Sequence, residues 1–351
     1  MAGPTPTARA ALAARGYHER MTLPVSVLDL VPVPSGGSSA ESVRRTVELA
    51  QLAERLGYVR YWFAEHHGMP SVASAAPEVL IAHVAAHTST LRVGSGGVML
   101  PNHAPLRVAE AFRTLAALYP DRIDLGLGRA PGSDANASRA LRAVDGEHFA
   151  ELLSELLTWS GRNELPPHHP MHALRAMPDD APLPPIWLLG SSGASARMAG
   201  GAGMGYSFAS HFSPTPAAPA FEAYRRAFVP SKEFAEPHAI LGVSVICAPT
   251  EDEAEYLATG MALAWVRLRS GVFAPLPSPE EASLHAYSEA EQRLVRDFRR
   301  LVVVGAPSSV RQQLLAKAHD CEASELMIVC SVHSHAARLR SYELVAQALA
   351  D

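Results

Sequence analysis

A strand-like run that ends in paired histidines is the part of the sequence with the clearest chemical potential. Residues 58–64 are apolar or aromatic except for Arg60, and Glu65, His66 and His67 follow them directly. Histidine changes its charge closest to neutral pH, and α/β barrels place catalytic groups at the carboxyl tips of buried strands. The sequence therefore offers a proton-transfer site. The alternative is an ordinary strand end with solvated histidines, because a single motif is only a hypothesis.

A run of small residues at positions 190–193 could bind an anion. Gly190, Ser191, Ser192 and Gly193 follow a strand-like run and open a helix-like one. Backbone N–H groups and the helix dipole favour negative charge at such a point, and serine hydroxyls add donors. We interpret the run as a phosphate site. The alternative is a helix cap formed by Ser191 or Ser192.

Two other strand ends contain glycines. Residues 124–132 include Arg129, whose guanidinium could bind a phosphate through two hydrogen bonds. Arg139 and Arg142, on the next helix, could assist. Residues 94–97 (Gly-Ser-Gly-Gly) interrupt a strand, which indicates either a flat ring close to the backbone or a bend in the barrel.

Histidines near other strand ends allow a metal-dependent alternative. His103, His211, His333 and His335 each lie at or just after a strand-like run. A zinc-dependent barrel hydrolase would use such ligands. However, the His-X-His pair at 333 and 335 follows the last strand, and carboxylates at complementary strand tips are scarce. We therefore predict no metal site.

Strand-like and helix-like runs alternate along the chain. Most strand-like runs are continuously apolar, as in a parallel sheet covered on both faces. Eight strand–helix pairs predict an α/β fold, a (β/α)8 TIM barrel with insertions in a single domain. An open doubly wound sheet is the alternative, but its glycine fingerprint does not follow the first strand. The predicted strands are residues 25–33, 58–64, 91–100, 122–128, 185–190, 206–212, 239–248 and 326–332; the predicted helices are residues 40–56, 77–87, 106–118, 138–158, 191–200, 217–228, 251–268 and 335–350.

The domain boundaries follow from composition. Residues 1–21 are rich in Ala, Arg and Pro, and we predict a disordered N-terminal tail. Residues 22–351 form the barrel domain. Segments 161–184 and 270–300 are broken by prolines and read as insertions, which we expect to form flaps near the barrel mouth.

Composition excludes several classes of protein. The 351 residues are 48% hydrophobic and 19% charged, with a net charge of −5, so no basic surface for nucleic acid is indicated. The sequence contains no run of about 18 apolar residues, so no membrane span is predicted. The three cysteines have no metal-type spacing, and buried reduced thiols are expected at Cys247 and Cys330, which favours the cytoplasm.

Taken together, these motifs resemble the bacterial luciferase-like family of flavin-dependent monooxygenases. The resemblance runs from about position 23 to position 350. It rests on an ordered set of motifs: Ala-Glu-His-His at 64–67, Gly-Ser-Gly-Gly-Val-Met-Leu-Pro at 94–101, Arg-Ile-Asp-Leu-Gly-Leu-Gly-Arg at 122–129 and Gly-Ser-Ser at 190–192.

The resemblance implies roles for individual residues. His66 would stand over the flavin and move protons as the catalytic residue. The Gly96–Gly97 position would carry a non-proline cis peptide under the isoalloxazine ring. The remaining residues implied to bind the cofactor, mainly its phosphate, are Arg129, Arg139, Gly190, Ser191, Ser192 and Gly193.

The activity implied by the resemblance is oxidation of a small organic substrate by O2 through a peroxyflavin. Reduced FMN would come from a partner flavin reductase, because the sequence has no nicotinamide fingerprint. A deazaflavin in place of FMN, a homodimer, a non-catalytic flavin-binding barrel and the zinc hydrolase remain open. The predicted substrate pocket is lined by Trp62, Glu65, His67, Met99 and His211, with Leu28 and Phe208 beside them.

Overall fold

The computed structural model describes residues 23–130, 132–161 and 163–350. The predicted tail at residues 1–21 lies outside the described residues. The strands are β1 (Val25–Asp29), β2 (Arg60–Phe63), β3 (Arg92–Ser95), β4 (Val98–Met99), β5 (Ile123–Gly128), β6 (Ile186–Gly190), β7 (Gly205–Phe208), β8 (Ala239–Cys247), β9 (Val302–Gly305) and β10 (Glu325–Val329). The helices are α1 (Ser39–Arg44), α2 (Thr46–Arg55), α3 (Pro77–Ala86), α4 (Pro105–Leu118), α5 (Ala135–Leu141), α6 (Phe149–Trp159), α7 (Gly193–Gly201), α8 (Ala218–Ala227), α9 (Glu251–Arg269), α10 (Pro279–Ser283), α11 (Glu289–Leu301), α12 (Pro307–Cys321) and α13 (His335–Ala350).

Parallel strands close into the predicted (β/α)8 barrel. The pairing runs β1, β2, β3, β5, β6, β7, β8 and β10, and β10 pairs back to β1. β3 and β4 are one strand interrupted at Gly96–Gly97, where one extra residue is inserted relative to β5. This bulge is the bend that the glycine run allowed. All eight predicted strands overlap strands of the barrel.

The first strand ends earlier than predicted. β1 stops at Asp29, and Val31 adopts a left-handed conformation with φ of 52°. The Asp29 carboxylate accepts a hydrogen bond from the Val31 backbone N–H at 2.6 Å, which fixes this turn. A local side-chain bond of this kind competes with the strand. The apolar pattern alone could not reveal it.

The helix that follows β8 in the outer ring was not predicted. α12 packs against β8, between α8 and α13, and so completes the ring. The predicted helix at 251–268, observed as α9, instead starts an excursion above the mouth that continues through α10 and α11 to β9. β9 pairs with the carboxyl half of β8 outside the closed barrel. The insertion at the mouth is therefore longer than residues 270–300.

The segment 161–184 lies at the opposite end of the barrel, so the prediction of a flap at the mouth was wrong for this segment. It connects the end of α6 to the start of β6, which places it at the amino ends of the strands. Arg113 on α4 anchors it by donating to the carbonyls of Ala176, Pro178 and Asp179 at 3.2–3.3 Å.

An ion network fills the barrel interior at this amino end. Arg60 bonds to Glu325 and to Asp124, each at 2.8 Å, and its guanidinium lies 4.7 Å from the centre of the Trp187 ring. His238 bonds to the second oxygen of Glu325 at 2.9 Å. Arg60, Asp124 and Glu325 are buried, and His238 is half-buried. The network therefore closes the barrel at one end and leaves the carboxyl end for chemistry.

The three cysteines, Cys247, Cys321 and Cys330, are free and buried, as predicted for Cys247 and Cys330. No helix within the described ranges has the length and apolar character needed to cross a bilayer.

Candidate active site

The predicted site residues lie on loops at one end of the barrel. Glu65, His66 and His67 follow β2, Met99 ends β4, and the 190–193 turn follows β6. Because parallel strands end at the same edge, these segments share the barrel mouth. The observed fold thus brings together motifs that are far apart in sequence.

Glu65 is the centre of a hydrogen-bond network beneath the mouth. It is fully buried and accepts from the Met99 backbone N–H at 2.9 Å and from Asn102 Nδ2 at 3.0 Å. His67 Nε2 lies 2.8 Å from its carboxylate and His103 Nε2 lies 3.0 Å from it. Glu65 therefore ties the 65–67 turn to the segment 99–103. It does not line an open pocket as predicted, because none of its surface is exposed.

The charges in this network support one another. Burial acts to raise the pKa of Glu65, but the hydrogen bonds from His103, Asn102 and His67 outweigh it, and the pKa is lowered. The hydrogen bond to Glu65 raises the pKa of His103. Asn102 was not predicted as a site residue, and His103 was considered only as a ligand for the metal-dependent alternative. Their position three and four residues after Met99, just past the strand-three motif, was the available signal.

His66 differs from Glu65 and His67 because it does not take part in the hydrogen-bond network around the Glu65 carboxylate. Its backbone N–H donates to the Ser74 carbonyl at 2.9 Å, which fixes the main chain. Its Nδ1 is buried and has no hydrogen-bond partner among the described residues. Burial lowers the pKa of His66, with Glu65 opposing and His67 adding to the shift. His66 is therefore neutral at pH 7 and able to accept a proton.

The peptide bond between Gly96 and Gly97 is cis, as predicted. A Cβ at Gly96 would lie 2.7 Å from Leu28 Cδ1, and a Cβ at Gly97 would lie 2.8 Å from the Gly126 carbonyl oxygen. Side chains are thus excluded on sterics alone. Trp62 is fully buried below Gly96 and donates to Asp124 at 3.0 Å. It supports the floor of the mouth and, contrary to the prediction, does not line an open pocket.

The 190–193 turn leads into α7 with small residues only. Ser192 is the N-cap residue, but its side chain makes no capping bond. Tyr206 braces the turn by donating to the Ser192 carbonyl at 3.1 Å. Arg197 Nη1 lies 3.4 Å from where a Cβ of Gly193 would be, so its guanidinium covers the first turn. Sequence analysis missed Arg197; its spacing, one helical turn after Gly193, was the signal.

Arg129 and Arg139 are both exposed. Arg129 lies on the turn after β5, close to Gly146. Arg139 donates to Asn136 Oδ1 at 2.6 Å and to the Ala135 carbonyl at 3.4 Å, both on its own helix α5. The phosphate-binding roles of these two arginines stay predictions.

Two cavities differ in their relation to the mouth. The larger, about 470 Å³, is polar and lies between Arg113 and the 161–184 segment at the amino end. The smaller, about 200 Å³, is mainly apolar and lies between the ends of β1, β8 and β10 and the excursion that begins with α9. His211 lines the smaller cavity. Burial, and then the nearby His66, lower the pKa of His211 to about 4.

The two histidines after the last strand bond to different parts of the protein. His333 Nε2 lies 3.0 Å from the Ser35 carbonyl, whereas His335 Nε2 lies 3.0 Å from Glu48. Within residues 23–130, 132–161 and 163–350, no three or more His, Cys, Asp or Glu side chains are grouped so as to hold a metal ion.

Comparison with known proteins identifies the family. The family model for luciferase-like monooxygenase matches residues 23–324. A luciferase-like monooxygenase of Escherichia coli (strain K12) is 43% identical over 326 residues, 92% of this chain and 96% of that protein. An N-acetyl-S-alkylcysteine monooxygenase of Bacillus subtilis (strain 168) is 34% identical over 331 residues, 93% and 98% of the two chains.

Solved structures agree with the fold. The crystal structure of apo-MsnO8 is 37% identical and covers 93% of this chain and 98% of its own, with a TM-score of 0.81. At lower identity the fold recurs in the FMN complex of the oxygenating constituent of 3,6-diketocamphane monooxygenase from Pseudomonas putida (19% identical, 94% and 98% covered, TM-score 0.68). It also recurs in an F420-dependent secondary alcohol dehydrogenase (13% identical, 94% and 100% covered, TM-score 0.65). This chain belongs to the luciferase-like monooxygenase family.

Proposed function

We propose that this chain is an FMN-dependent monooxygenase that transfers one oxygen atom of O2 to a small organic substrate. The observation that carries the proposal is the buried Nδ1 of a neutral His66 at the mouth of the barrel, which has no hydrogen-bond partner in the described part of the chain. A buried polar atom without a partner costs free energy unless a ligand supplies one. His66 Nδ1 is thus prepared for a bound molecule.

The residues present fit a flavin. A planar ring needs a backbone segment free of side chains, and the Gly96–Gly97 segment carries none. Glycine is required at both positions, since an added Cβ would collide with neighbouring protein atoms. A phosphate needs hydrogen-bond donors and positive charge. The first turn of α7 offers both, because the Ser192 hydroxyl makes no capping bond and the Arg197 guanidinium lies beside Gly193. The two sites flank β5. The Gly96–Gly97 segment belongs to the strand on one side of β5, and the 190–193 turn follows β6 on the other side.

Reduced FMN would supply the two electrons with which O2 gives one oxygen atom to the substrate and one to water. The protein residues have separate tasks. Glu65 fixes Met99 and His103 and so orients the loop beside His66. His66 accepts or donates the proton that moves during oxygen transfer. The excursion that starts with α9 covers part of the mouth and limits the entry of water.

FMN is preferred to a deazaflavin because oxygen activation needs a reduced cofactor that reacts with O2. Structures with this fold bind either cofactor: the P. putida protein is an FMN-bound monooxygenase, whereas the F420-dependent protein is a dehydrogenase. Membership of a monooxygenase family therefore supports FMN here. A flavin reductase as supplier of reduced FMN, a homodimeric assembly and a cytoplasmic location belong to the same proposal.

Titration of the purified protein with oxidised FMN, photoreduced FMN and a deazaflavin tests the proposal. We expect reduced FMN to bind tightest, followed through the change in flavin fluorescence. If the protein bound none of the three ligands and contained a stoichiometric metal ion, the proposal would be overturned and the zinc hydrolase favoured. Tight flavin binding with no oxygen consumption in the presence of any substrate would instead favour the non-catalytic flavin-binding barrel.

A further inference from the structure

The apolar cavity at the mouth has a composition that restricts what it can bind. Barrel residues Leu30 and Val329 form one wall, and Met261, Trp265 and Phe273 of the excursion form the other. The volume of about 200 Å³ is somewhat larger than the cavity of about 150 Å³ that holds benzene in an engineered protein. A molecule with one six-membered ring therefore fits.

Three side chains in the lining of the cavity have a buried polar atom that lacks a hydrogen-bond partner among the described residues, and one of them is His211 through its Nδ1. The other two lie on β8 and α9. Ser244 Oγ on β8 and Trp265 Nε1 on α9 are both buried, and neither has a partner among the described residues. The indole N–H can only donate, whereas the hydroxyl can donate or accept. A ligand that satisfies both must therefore carry an acceptor atom such as a carbonyl or hydroxyl oxygen.

The cavity presents no unpaired charge among its lining residues. Arg267 is the cation of the lining, and its Nη2 bonds to Glu281 at 2.7 Å. His211, the other titratable group of the lining, is neutral at pH 7 because burial lowers its pKa to about 4. A carboxylate or ammonium group would enter an apolar space without a counter-charge, which is strongly unfavourable.

We propose that this cavity is the substrate site and that it selects small, uncharged, largely hydrocarbon molecules with one oxygen acceptor, which Trp265 and Ser244 bind. This inference rests on the proposed function and deepens it. Met69, Ser71 and Val72 line the cavity and belong to the same loop after β2 as His66, which places the cavity beside the proton-transfer loop. Trp265 and Ser244 are thus specificity residues, placed to hold the oxygen of the substrate.

Binding of three matched probes to the full-length protein tests the inference by calorimetry, without flavin. Cyclohexanone carries the acceptor, methylenecyclohexane has the same shape without it, and cyclohexanecarboxylate adds a charge. We expect cyclohexanone to bind tightest and the carboxylate weakest, at least tenfold apart. Trp265→Phe and Ser244→Ala should each weaken cyclohexanone binding by about 3- to 10-fold, the worth of one hydrogen bond, and leave methylenecyclohexane unchanged.

Trp159→Phe is the matched control, since Trp159 lines the cavity at the amino end. It should leave all three affinities unchanged. Carboxylate binding as tight as that of the ketone would overturn the inference, as would an equal loss of ketone and hydrocarbon binding in both cavity variants. A protein that fails to bind flavin but shows the expected probe order would disprove the proposed function and leave the cavity assignment standing.

Discussion

Adjacent imidazoles have opposite roles at the barrel mouth. His67 is held by Glu65 at 2.8 Å, whereas the Nδ1 atom of His66 has no partner among the described residues. The sequence predicted the pair because it follows an apolar strand. It could not tell which ring is free, because that depends on Glu65 being saturated by Met99, Asn102 and His103, more than 30 positions away.

Replacing His66 by Ala should reduce product formation at least about 100-fold, the usual contribution of a general acid–base group. The flavin dissociation constant should change little, since the glycine surface and the phosphate turn are untouched. The wild-type rate should also fall on acidification, at a lower pH than for an ordinary imidazole, because burial lowers the pKa of His66 and acid then protonates the ring. Steady-state turnover with a reductase and a flavin titration measure these effects. His67→Ala is the control and should retain more activity; equal turnover by His66→Ala and wild type would contradict the assignment.

Glu65 is a positioning residue, and Glu65→Gln should show this spectroscopically. The pKa of His103 is raised by its hydrogen bond to Glu65, so loss of the negative charge should lower it. NMR titration of the imidazole protons measures that change. Reduced FMN should bind more weakly as well, because the Met99 N–H loses a charged acceptor next to the Gly96–Gly97 segment. Glu78→Gln, which removes a more distant charge, should shift the pKa of His103 less; an unchanged His103 pKa in Glu65→Gln would sink the positioning role.

At the scale of elements, strands were easier to predict than the helices that belong to them. Barrel strands are continuously apolar because helices cover them, and this pattern is visible in sequence. The partner helix of β8 was misassigned because α9 follows it directly in the chain and has a good N-cap, Thr250, bonded to the Glu253 N–H at 3.2 Å. That α12 completes the ring depends on packing between distant segments, which a local pattern does not contain.

A substitution in the turn between β6 and α7 should distinguish binding of the phosphate from binding of the flavin ring. A Cβ at Gly190 would lie 2.1 Å from Ser195 Oγ, so Gly190→Ala should displace the turn. FMN affinity should fall at least about tenfold, the worth of one or two charge-assisted hydrogen bonds, whereas riboflavin, which lacks the phosphate, should bind nearly as before. Gly201→Ala, at the end of the same helix and with no atom within 4 Å of the added Cβ, is the control. Equal loss of FMN and riboflavin binding would show that the turn does not hold the phosphate.

At the scale of the whole molecule, the barrel separates stability from function along its axis. The buried ion network of Arg60, Asp124 and Glu325 closes the amino end, whereas His66 Nδ1, which has no partner among the described residues, lies at the carboxyl end. Neither the net charge nor the pattern of apolar strands indicated this network, because its members come from β2, β5 and β10 and meet only when the barrel closes. The predicted motifs, by contrast, were each local in sequence.

Glu325 should make the stability of the barrel dependent on acid pH. Burial acts to raise its pKa, but Arg60 and His238 outweigh it and hold the pKa at about 2, against an ordinary value of 4.5. A group with a lowered pKa in the folded state stabilises the protein above the unfolded pKa, and this stabilisation is lost as the pH falls from 4.5 towards 2. Glu325→Gln should therefore lower the unfolding free energy at pH 7 by about 3 kcal/mol, because Arg60 loses a buried partner, and the variant should lose less stability than wild type on acidification. Urea unfolding at pH 7 and pH 3.5 measures both effects. The control is Glu343→Gln, which breaks a partly exposed ion pair with Arg340 and should stay within about 0.5 kcal/mol of wild type. If Glu325→Gln and wild type lost equal stability between the two pH values, other carboxylates would have to cause the loss of stability in acid. The amino-end network would then not be the acid-sensitive element of this barrel.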